Sequence, residues 1–221
     1  MTEAVDIKPP VREKISSGDF YLYDKRVISE LQAKVGERPV VVLNGMNTIY
    51  APAEGDPDGE RIPYDNVQET IRAIREEVPD VFVIAWTGKG PRANVDRAVG
   101  DTADLVIGEE NVKRPEGLSD EDAIQRYVDF IDTANWLSDG QKEALKSDGV
   151  KPDGKYPQLF AKGAIVIVDN KPDIGRILNP GEESPHLAFV NSNEWKEERS
   201  LPVGIAYRIA QKLIHRSPTP Q

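Results

Sequence analysis

The chain has 221 residues, of which 38% are hydrophobic and 30% are charged, and it carries a formal net charge of −10 at pH 7. This composition is ordinary for a globular protein, and the length predicts one domain with an insertion or a small subdomain. The sequence contains no cysteine, which excludes disulfides, thiolate catalysis and cysteine-bound metals.

The acidic charge also limits the partners that we expect. General binding to a nucleic-acid backbone requires clustered lysine and arginine, so it is not predicted for this chain. No apolar run approaches the roughly 20 residues needed to cross a bilayer, so no membrane association is predicted. The first residues lack a basic region followed by an apolar one, so we expect no signal peptide and a cytoplasmic location.

The first predicted elements are a helix and a buried strand. Apolar residues recur at helical spacing between Asp24, a plausible N-cap, and Gly36. An apolar run over residues 40–43 then stops at Asn44, which is typical of a central parallel strand that is buried on both faces. Ligands of open α/β sheets bind just beyond the carboxyl ends of such strands. The search for function therefore begins at residues 44–48.

Strands and helices alternate in the next part of the chain. The patterns predict a loop at 51–63, a helix from 66 to 78, a strand at 81–86, a helix at 92–99 and a strand at 104–108. Strands joined by helices at these lengths indicate parallel crossovers. We therefore predict an α/β fold with a doubly wound, mostly parallel sheet flanked by helices.

The second half begins with a helical region and returns to the sheet. Ser119 and Asp122 predict the capped start of a long helix with an apolar face from Ala123 to Leu137. Further patterns predict helices at 141–146, 173–178 and 201–215 and strands at 164–168 and 186–190. The predicted organisation is an N-terminal arm and helix (1–37), an α/β core (38–108 and 159–216), a helical insertion or cap (109–158) and a disordered tail (217–221).

Three predicted strands end in polar residues that would share one edge of the sheet. The sequences at these ends are Asn44-Gly45-Met46-Asn47-Thr48, Thr87-Gly88-Lys89 and Asp169-Asn170-Lys171-Pro172-Asp173. In order and position they resemble the motifs of the haloacid dehalogenase (HAD)-like superfamily, whose members are mostly phosphatases and related phosphoryl-transfer enzymes. The resemblance covers most of residues 38–190.

The resemblance implies a role for each of these positions. Asn44 and Met46 fall where the family has two aspartates, one the nucleophile and the other the group that protonates the leaving group. Asp169 and Asp173 fall at the acids that hold magnesium. The residues implied in phosphate or ligand binding are Thr48, Thr87, Gly88 and Lys162, with Lys155 as the other candidate for the lysine.

Both motif aspartates are replaced by residues that lack their chemistry. An amide such as Asn44 is a poor nucleophile and carries no charge for a metal, and Met46 cannot transfer a proton. The sequence therefore predicts a degenerate site in a binding, regulatory or structural module, with a small phosphorylated ligand or a protein as its partner. The alternative is a magnesium-dependent HAD-like phosphatase or hydrolase that acts on a phosphorylated small molecule or nucleic-acid end by a variant mechanism.

The remaining predictions concern cofactors and simpler interpretations of the same residues. No nucleotide cofactor is predicted, since the chain has neither P-loop spacing nor a glycine-rich dinucleotide motif. The strand ends are also typical of turns and helix caps, and a doubly wound domain outside this family remains a third interpretation. These interpretations differ in whether Asn44, Thr87, Lys162 and Asp169 converge on one pocket.

Overall fold

The computed structural model describes residues 22, 24–88, 90–113, 116–134, 137–147, 161–171 and 187–216. The strands are β1 (Val40–Asn44), β2 (Tyr50–Pro52), β3 (Arg61–Pro63), β4 (Phe82–Trp86), β5 (Leu105–Ile107), β6 (Ile165–Asp169) and β7 (Leu187–Asn191). The helices are α1 (Lys25–Val35), α2 (Val67–Glu77), α3 (Arg92–Val99), α4 (Glu109–Val112), α5 (Asp120–Thr133), α6 (Asp139–Ser147) and α7 (Ile205–Ile214), with a 3-10 helix at Ser192–Trp195.

Five strands form one parallel sheet in the order β5-β4-β1-β6-β7. The predicted α/β class with a mostly parallel sheet is therefore confirmed. β1 lies at the centre because its residues are apolar on both faces, and Val40 to Leu43 are all at most 2% exposed. The chain adds β4 and β5 on one side of β1 and later adds β6 and β7 on the other side.

The sheet separates two hydrophobic cores. Side chains alternate between the faces of a strand, so Val41 and Leu43 point into one core while Val40 and Val42 point into the other. The first core is completed by α2, α3 and α7, and the second by α1, α5 and α6. Full burial of an aliphatic side chain stabilises the fold by about 1.5–3 kcal/mol, so both layers of helices contribute strongly to holding the sheet.

The region predicted as an insertion contributes to the second core. Tyr127 and Ile131 of α5 and Leu145 of α6 are buried together with Val42 and Ile84 of the sheet. Ser119 caps α5 as predicted, since its side chain accepts a hydrogen bond from the amide of Asp122. The division of the chain into a core and an insertion stays a prediction.

Several elements differ from the sequence prediction, and α4 and the 3-10 helix at Ser192–Trp195 were not predicted. The segment 51–63, predicted as a loop, contributes to an antiparallel pair in which Tyr50 of β2 lies opposite Pro63 of β3. Three-residue strands that contain proline are too short to show an alternating pattern. The last helix begins at Ile205, later than predicted, because Gly204 has a left-handed backbone (φ 96°) that cannot continue a right-handed helix.

Other predictions fall outside the described residues or match closely. The helix predicted at 173–178 and the tail at 217–221 lie outside the described part of the chain. Helix α3 has the predicted bounds, and β1, β4, β6 and β7 lie within a few residues of theirs. None of the described helices has both the length and the hydropathy required to span a bilayer.

Candidate functional site

The sheet order identifies one crevice as the natural place for a site. The chain moves from β1 to β4 in one direction and later places β6 on the opposite side of β1, so the direction of winding changes between β1 and β6. Ligands of open α/β folds bind at such a switch point, outside the carboxyl ends of the strands. Leu43 lies opposite Val168, so Asn44 and Asp169 are neighbours at this position.

The loop after β1 folds back tightly on the end of its strand. Gly45 extends the ladder to β4, since its amide donates to the carbonyl of Trp86 at 2.7 Å. Its own carbonyl accepts hydrogen bonds from the amides of Thr48, Ile49 and Tyr50, at 3.0–3.3 Å. These hydrogen bonds hold the loop in one conformation and leave the side chains of Asn44 and Met46 partly exposed at the edge of the sheet.

The structure places Thr48 in the interior. Thr48 is fully buried, and its hydroxyl lies 2.8 Å from that of Ser192, which donates to the carbonyl of Asn47 at 3.3 Å. The indole of Trp195 donates to the carbonyl of Thr48 at 3.1 Å. In this conformation Thr48 connects the loop after β1 to the 3-10 helix after β7.

Tyr50 fills the space beside Thr87 at the end of β4. The Tyr50 hydroxyl donates to Thr87 Oγ1 at 3.0 Å, and both residues are at most 4% exposed. A Cβ atom on Gly45 would lie 2.7 Å from the ring, and one on Gly90 would lie 3.2 Å from the Tyr50 hydroxyl. Only glycine fits at residue 45 without movement of the ring, and Gly88, the other predicted ligand residue at this strand end, is partly exposed.

Burial also changes the acidity of this phenol. Removal from water raises the pKa of Tyr50 above its usual value, while the hydrogen bond to Thr87 and the positive charge of Arg61 act in the opposite direction. Tyr50 is therefore a neutral hydrogen-bond donor at neutral pH. With Tyr50 in this position, the Thr87 hydroxyl already accepts a hydrogen bond from within the protein.

A polar cluster lies at the ends of β1 and β6. The Asn44 amide nitrogen donates to the carbonyl of Met46 at 3.2 Å, and Asp169 Oδ1 accepts from the amide of Lys171 at 2.8 Å. Asn170 lies between them, and its carboxamide can be placed in two orientations. With its oxygen inward it accepts from Asn44 at 3.3 Å, but that oxygen then faces two other acceptors, Asp169 Oδ1 and the Met46 carbonyl.

The opposite orientation of Asn170 satisfies this cluster better. With its nitrogen inward, Asn170 donates to Asp169 Oδ1 at 3.1 Å and to the Met46 carbonyl at 3.3 Å. This orientation keeps the Asn170 oxygen away from two other acceptors, and it places the Asn170 nitrogen 3.3 Å from the amide nitrogen of Asn44, which is itself a donor. Asn193 completes the cluster by donating to the backbone carbonyl of Asn170 at 2.8 Å.

The structure separates Lys162 from the other predicted site residues. Lys162 is exposed and precedes β6, whose first residue, Ile165, lies opposite Val40 at the start of β1. The strands are parallel and β6 is about 13 Å long, so Lys162 lies at the opposite edge of the sheet from Asp169. Asp173 and Lys155 lie outside the described residues.

The described residues include Asp169, one of the two predicted magnesium ligands, and the magnesium site stays a prediction because Asp173 lies outside them. Asp169 is the one carboxylate in the cluster of Asn44, Met46, Asp169 and Asn170, and Asn44 directs its amide nitrogen to the Met46 carbonyl. Magnesium requires near-octahedral oxygen coordination. Across the described part of the chain, no group of three or more His, Asp and Glu side chains could hold a metal.

Several residues of this edge were not identified from the sequence. Tyr50, Ser192 and Trp195 contact the predicted motif residues from positions 37 to 147 residues away. The polar run Asn191-Ser192-Asn193 at the end of β7 was the available signal that this strand also contributes residues to the edge. No comparable signal marks Tyr50, which lies in an ordinary apolar context.

The fold and this edge define an α/β protein with a parallel sheet and a carboxamide-rich cluster at its switch point. The chain matches none of the protein-family models, curated proteins or solved structures with which it was compared.

Proposed function

We propose that the chain is a HAD-like module with a degenerate site, which binds a small phosphorylated ligand at the ends of β1 and β6 without forming an aspartyl-phosphate. The observation that carries the proposal is the position of Asn44 at the switch point, beside Asp169 and at the end of the central strand. Aspartyl phosphoryl transfer requires a carboxylate nucleophile at this place, and an amide does not supply one.

The groups around Asn44 support binding. Asn44, Asn170 and Asn193 carry carboxamides, which both donate and accept hydrogen bonds, and Lys171 is exposed next to them. Such groups suit a polar ligand, and Lys171 adds one positive charge that favours an anion. Met46 beside Asn44 offers no proton for a leaving group, so the same residues favour binding over turnover.

The first test is a comparison of hydrolysis and binding in the whole chain. We expect no magnesium-dependent hydrolysis of para-nitrophenyl phosphate above that of a buffer blank. We expect inorganic phosphate or a hexose 6-phosphate to raise the melting temperature, because a ligand of the native state stabilises it. Asn44→Ala is expected to remove this shift.

The matched control is Gln211→Ala, which removes a partly exposed carboxamide from α7, away from the carboxyl ends of the strands. This variant should retain the ligand-induced shift of the wild type. Hydrolysis that Asp169→Ala abolishes would overturn the proposal in favour of the variant-mechanism enzyme. A ligand-induced shift that survives Asn44→Ala would contradict the location of the site.

A further inference from the structure

The solvent side of α7 carries a row of exposed apolar side chains. Among the described residues, five large apolar side chains are exposed, and three of them are Val203, Tyr207 and Ile214. They follow one another at intervals of four and seven residues, so they lie in one line along the surface of α7 and the turn before it. The inward face of α7 is packed in the first core. This row is therefore a second apolar surface of the same helix, and it is open to solvent.

A row of bases runs beside the apolar row. Arg208 and Lys212 are four residues apart on α7, and Arg208 lies about 100° around the helix from Tyr207. Arg208 donates to Glu194 of the 3-10 helix at 2.7 Å. That helix follows the edge strand β7, whereas α2 crosses from β1 to β4, so the basic row lies on the side of α7 away from α2. Residues 199–216 contain four lysines and arginines and no acid, in a chain of net charge −10.

A row of acids lies on the other side of the apolar row, on α2. Arg75 donates to Asp104 at 2.7 Å, so its side of α2 faces α3 and β5. Ala73 lies on the opposite side of α2, which faces α7, because α7 packs beside this helix. Arg72 lies 3.6 Å from one of the acids near Ala73, so the row keeps the charges of the other two. The exposed acids three or four residues from Ala73 are Glu69, Glu76 and Glu77.

We infer that the face formed by these three rows, the α2–α7 face, binds a second copy of the chain in a two-fold dimer. The order across the face is acids, apolar row and bases. A two-fold axis parallel to the helices and through the apolar row places the apolar rows on each other and the acids of each copy opposite the bases of the other. An axis across the helices would place acids on acids. The order of charges therefore selects the parallel arrangement.

The size of the face sets the expected affinity. A helix of 10 or 11 residues is about 15–16 Å long, so two adjacent helices present less than the roughly 800 Å² per partner of a standard interface. We expect a dissociation constant in the micromolar range. Association should weaken as salt is added, because the acids and bases at the rim are exposed and are screened. The inference is independent of the proposed function, since the face contains no residue of the strand-end cluster.

Sedimentation equilibrium of the whole chain tests the dimer. At low salt the average mass should rise from that of one chain towards that of two as the protein concentration passes through the micromolar range. Tyr207→Asp should weaken association at least about tenfold, because it places a charge in the apolar row. The matched control is Ile124→Asp, which adds the same charge at an exposed apolar residue of α5 and should leave association unchanged. If Tyr207→Asp does not fold, Val203→Asp at a fully exposed residue takes its place.

A charge exchange tests the orientation of the two copies. Leu201 donates to the carbonyl of Asp65 at 3.1 Å, so α2 and α7 begin side by side, and Glu76 and Lys212 both lie near the ends of their helices. Glu76→Lys and Lys212→Glu should each weaken the dimer, and the double variant should restore it, because each copy again presents opposite charges to the other.

Three outcomes would overturn the inference. The first is a wild type that stays monomeric at every concentration, including one that instead binds vesicles of anionic lipid. The second is a dimer that Tyr207→Asp leaves unchanged, which would place the interface elsewhere. The third is a double variant that associates more weakly than either single variant, which would exclude the parallel arrangement. Each outcome is read without a phosphorylated ligand, so this inference and the proposed function can fail separately.

Discussion

Among single residues, Tyr50 makes the most informative contact at the strand ends. Tyr50 is 1% exposed, and its hydroxyl donates a hydrogen bond to the buried hydroxyl of Thr87. Burial raises the pKa of Tyr50, so the folded protein retains the phenolic proton at pH values where the unfolded chain has begun to lose it. The stability associated with the raised pKa is therefore fully present below about pH 10 and is lost as the pH rises through the folded pKa.

The variant Tyr50→Phe tests this contact. We expect the free energy of unfolding to fall by about 1 kcal/mol at neutral pH, because one buried hydrogen bond is lost. Above about pH 10 the wild type should lose more stability than the variant, so the two pH profiles converge. Urea unfolding across the alkaline range measures both effects.

The control for this prediction is Tyr207→Phe on α7, where the side chain is 57% exposed. It should remain within about 0.5 kcal/mol of the wild type at neutral pH. Burial also raises the pKa of Tyr64, so some alkaline loss should persist in Tyr50→Phe. If the stability profiles of Tyr50→Phe and the wild type stay parallel at alkaline pH, ionisation of Tyr50 is not a cause of the alkaline loss of stability.

Among the elements, α7 shows how one amphipathic face attaches a helix to the sheet. Ile209 and Leu213 are at most 1% exposed and lie in the core shared with α2, whereas Ile214 is 48% exposed. The apolar spacing of this face was visible in the sequence. The partner helix, α2, was not, because it lies more than a hundred residues earlier in the chain.

Two substitutions at adjacent positions of α7 separate burial from helix propensity. Leu213→Ala should lower the free energy of unfolding by about 3 kcal/mol, since it removes a buried side chain and leaves a cavity. Ile214→Ala should change it by less than about 1 kcal/mol, because this side chain is half exposed and alanine favours the helix. Equal losses in urea unfolding would contradict the described orientation of α7.

For the whole molecule, the central fact is that two cores share one sheet. Val83 and Ile84 are adjacent in β4 and point into opposite cores. Trp195 lies in the first core and Trp86 in the second, so tryptophan fluorescence reports on both. Since every central strand contributes to both cores, loss of one core removes support for the other.

This arrangement predicts a single cooperative unfolding transition. Val83→Ala and Ile84→Ala should lower the free energy of unfolding by about 2 and 3 kcal/mol respectively. In each variant, fluorescence and far-ultraviolet circular dichroism should change together. If either variant instead showed two separate transitions, the two cores would be independent folding units.

The amino-acid sequence by itself determined the elements whose pattern is local. Buried parallel strands such as β1 and β4 appear as continuous apolar runs, and α3 is bounded by Pro91 and Gly100. The sequence also predicted that Asn44, Thr87 and Asp169 follow buried strands, because the polarity changes abruptly at the strand ends. These features require information from only a few neighbouring residues.

Only the tertiary structure decided which side chains meet at this edge. It placed Tyr50 on Thr87, 37 residues away, and Ser192 on Thr48, 144 residues away. It also separated Lys162 from Asp169, although the two are close in sequence, because a strand carries its two ends to opposite edges of the sheet. Such contacts depend on strand order and register, which are set by packing of the whole chain and leave no local pattern.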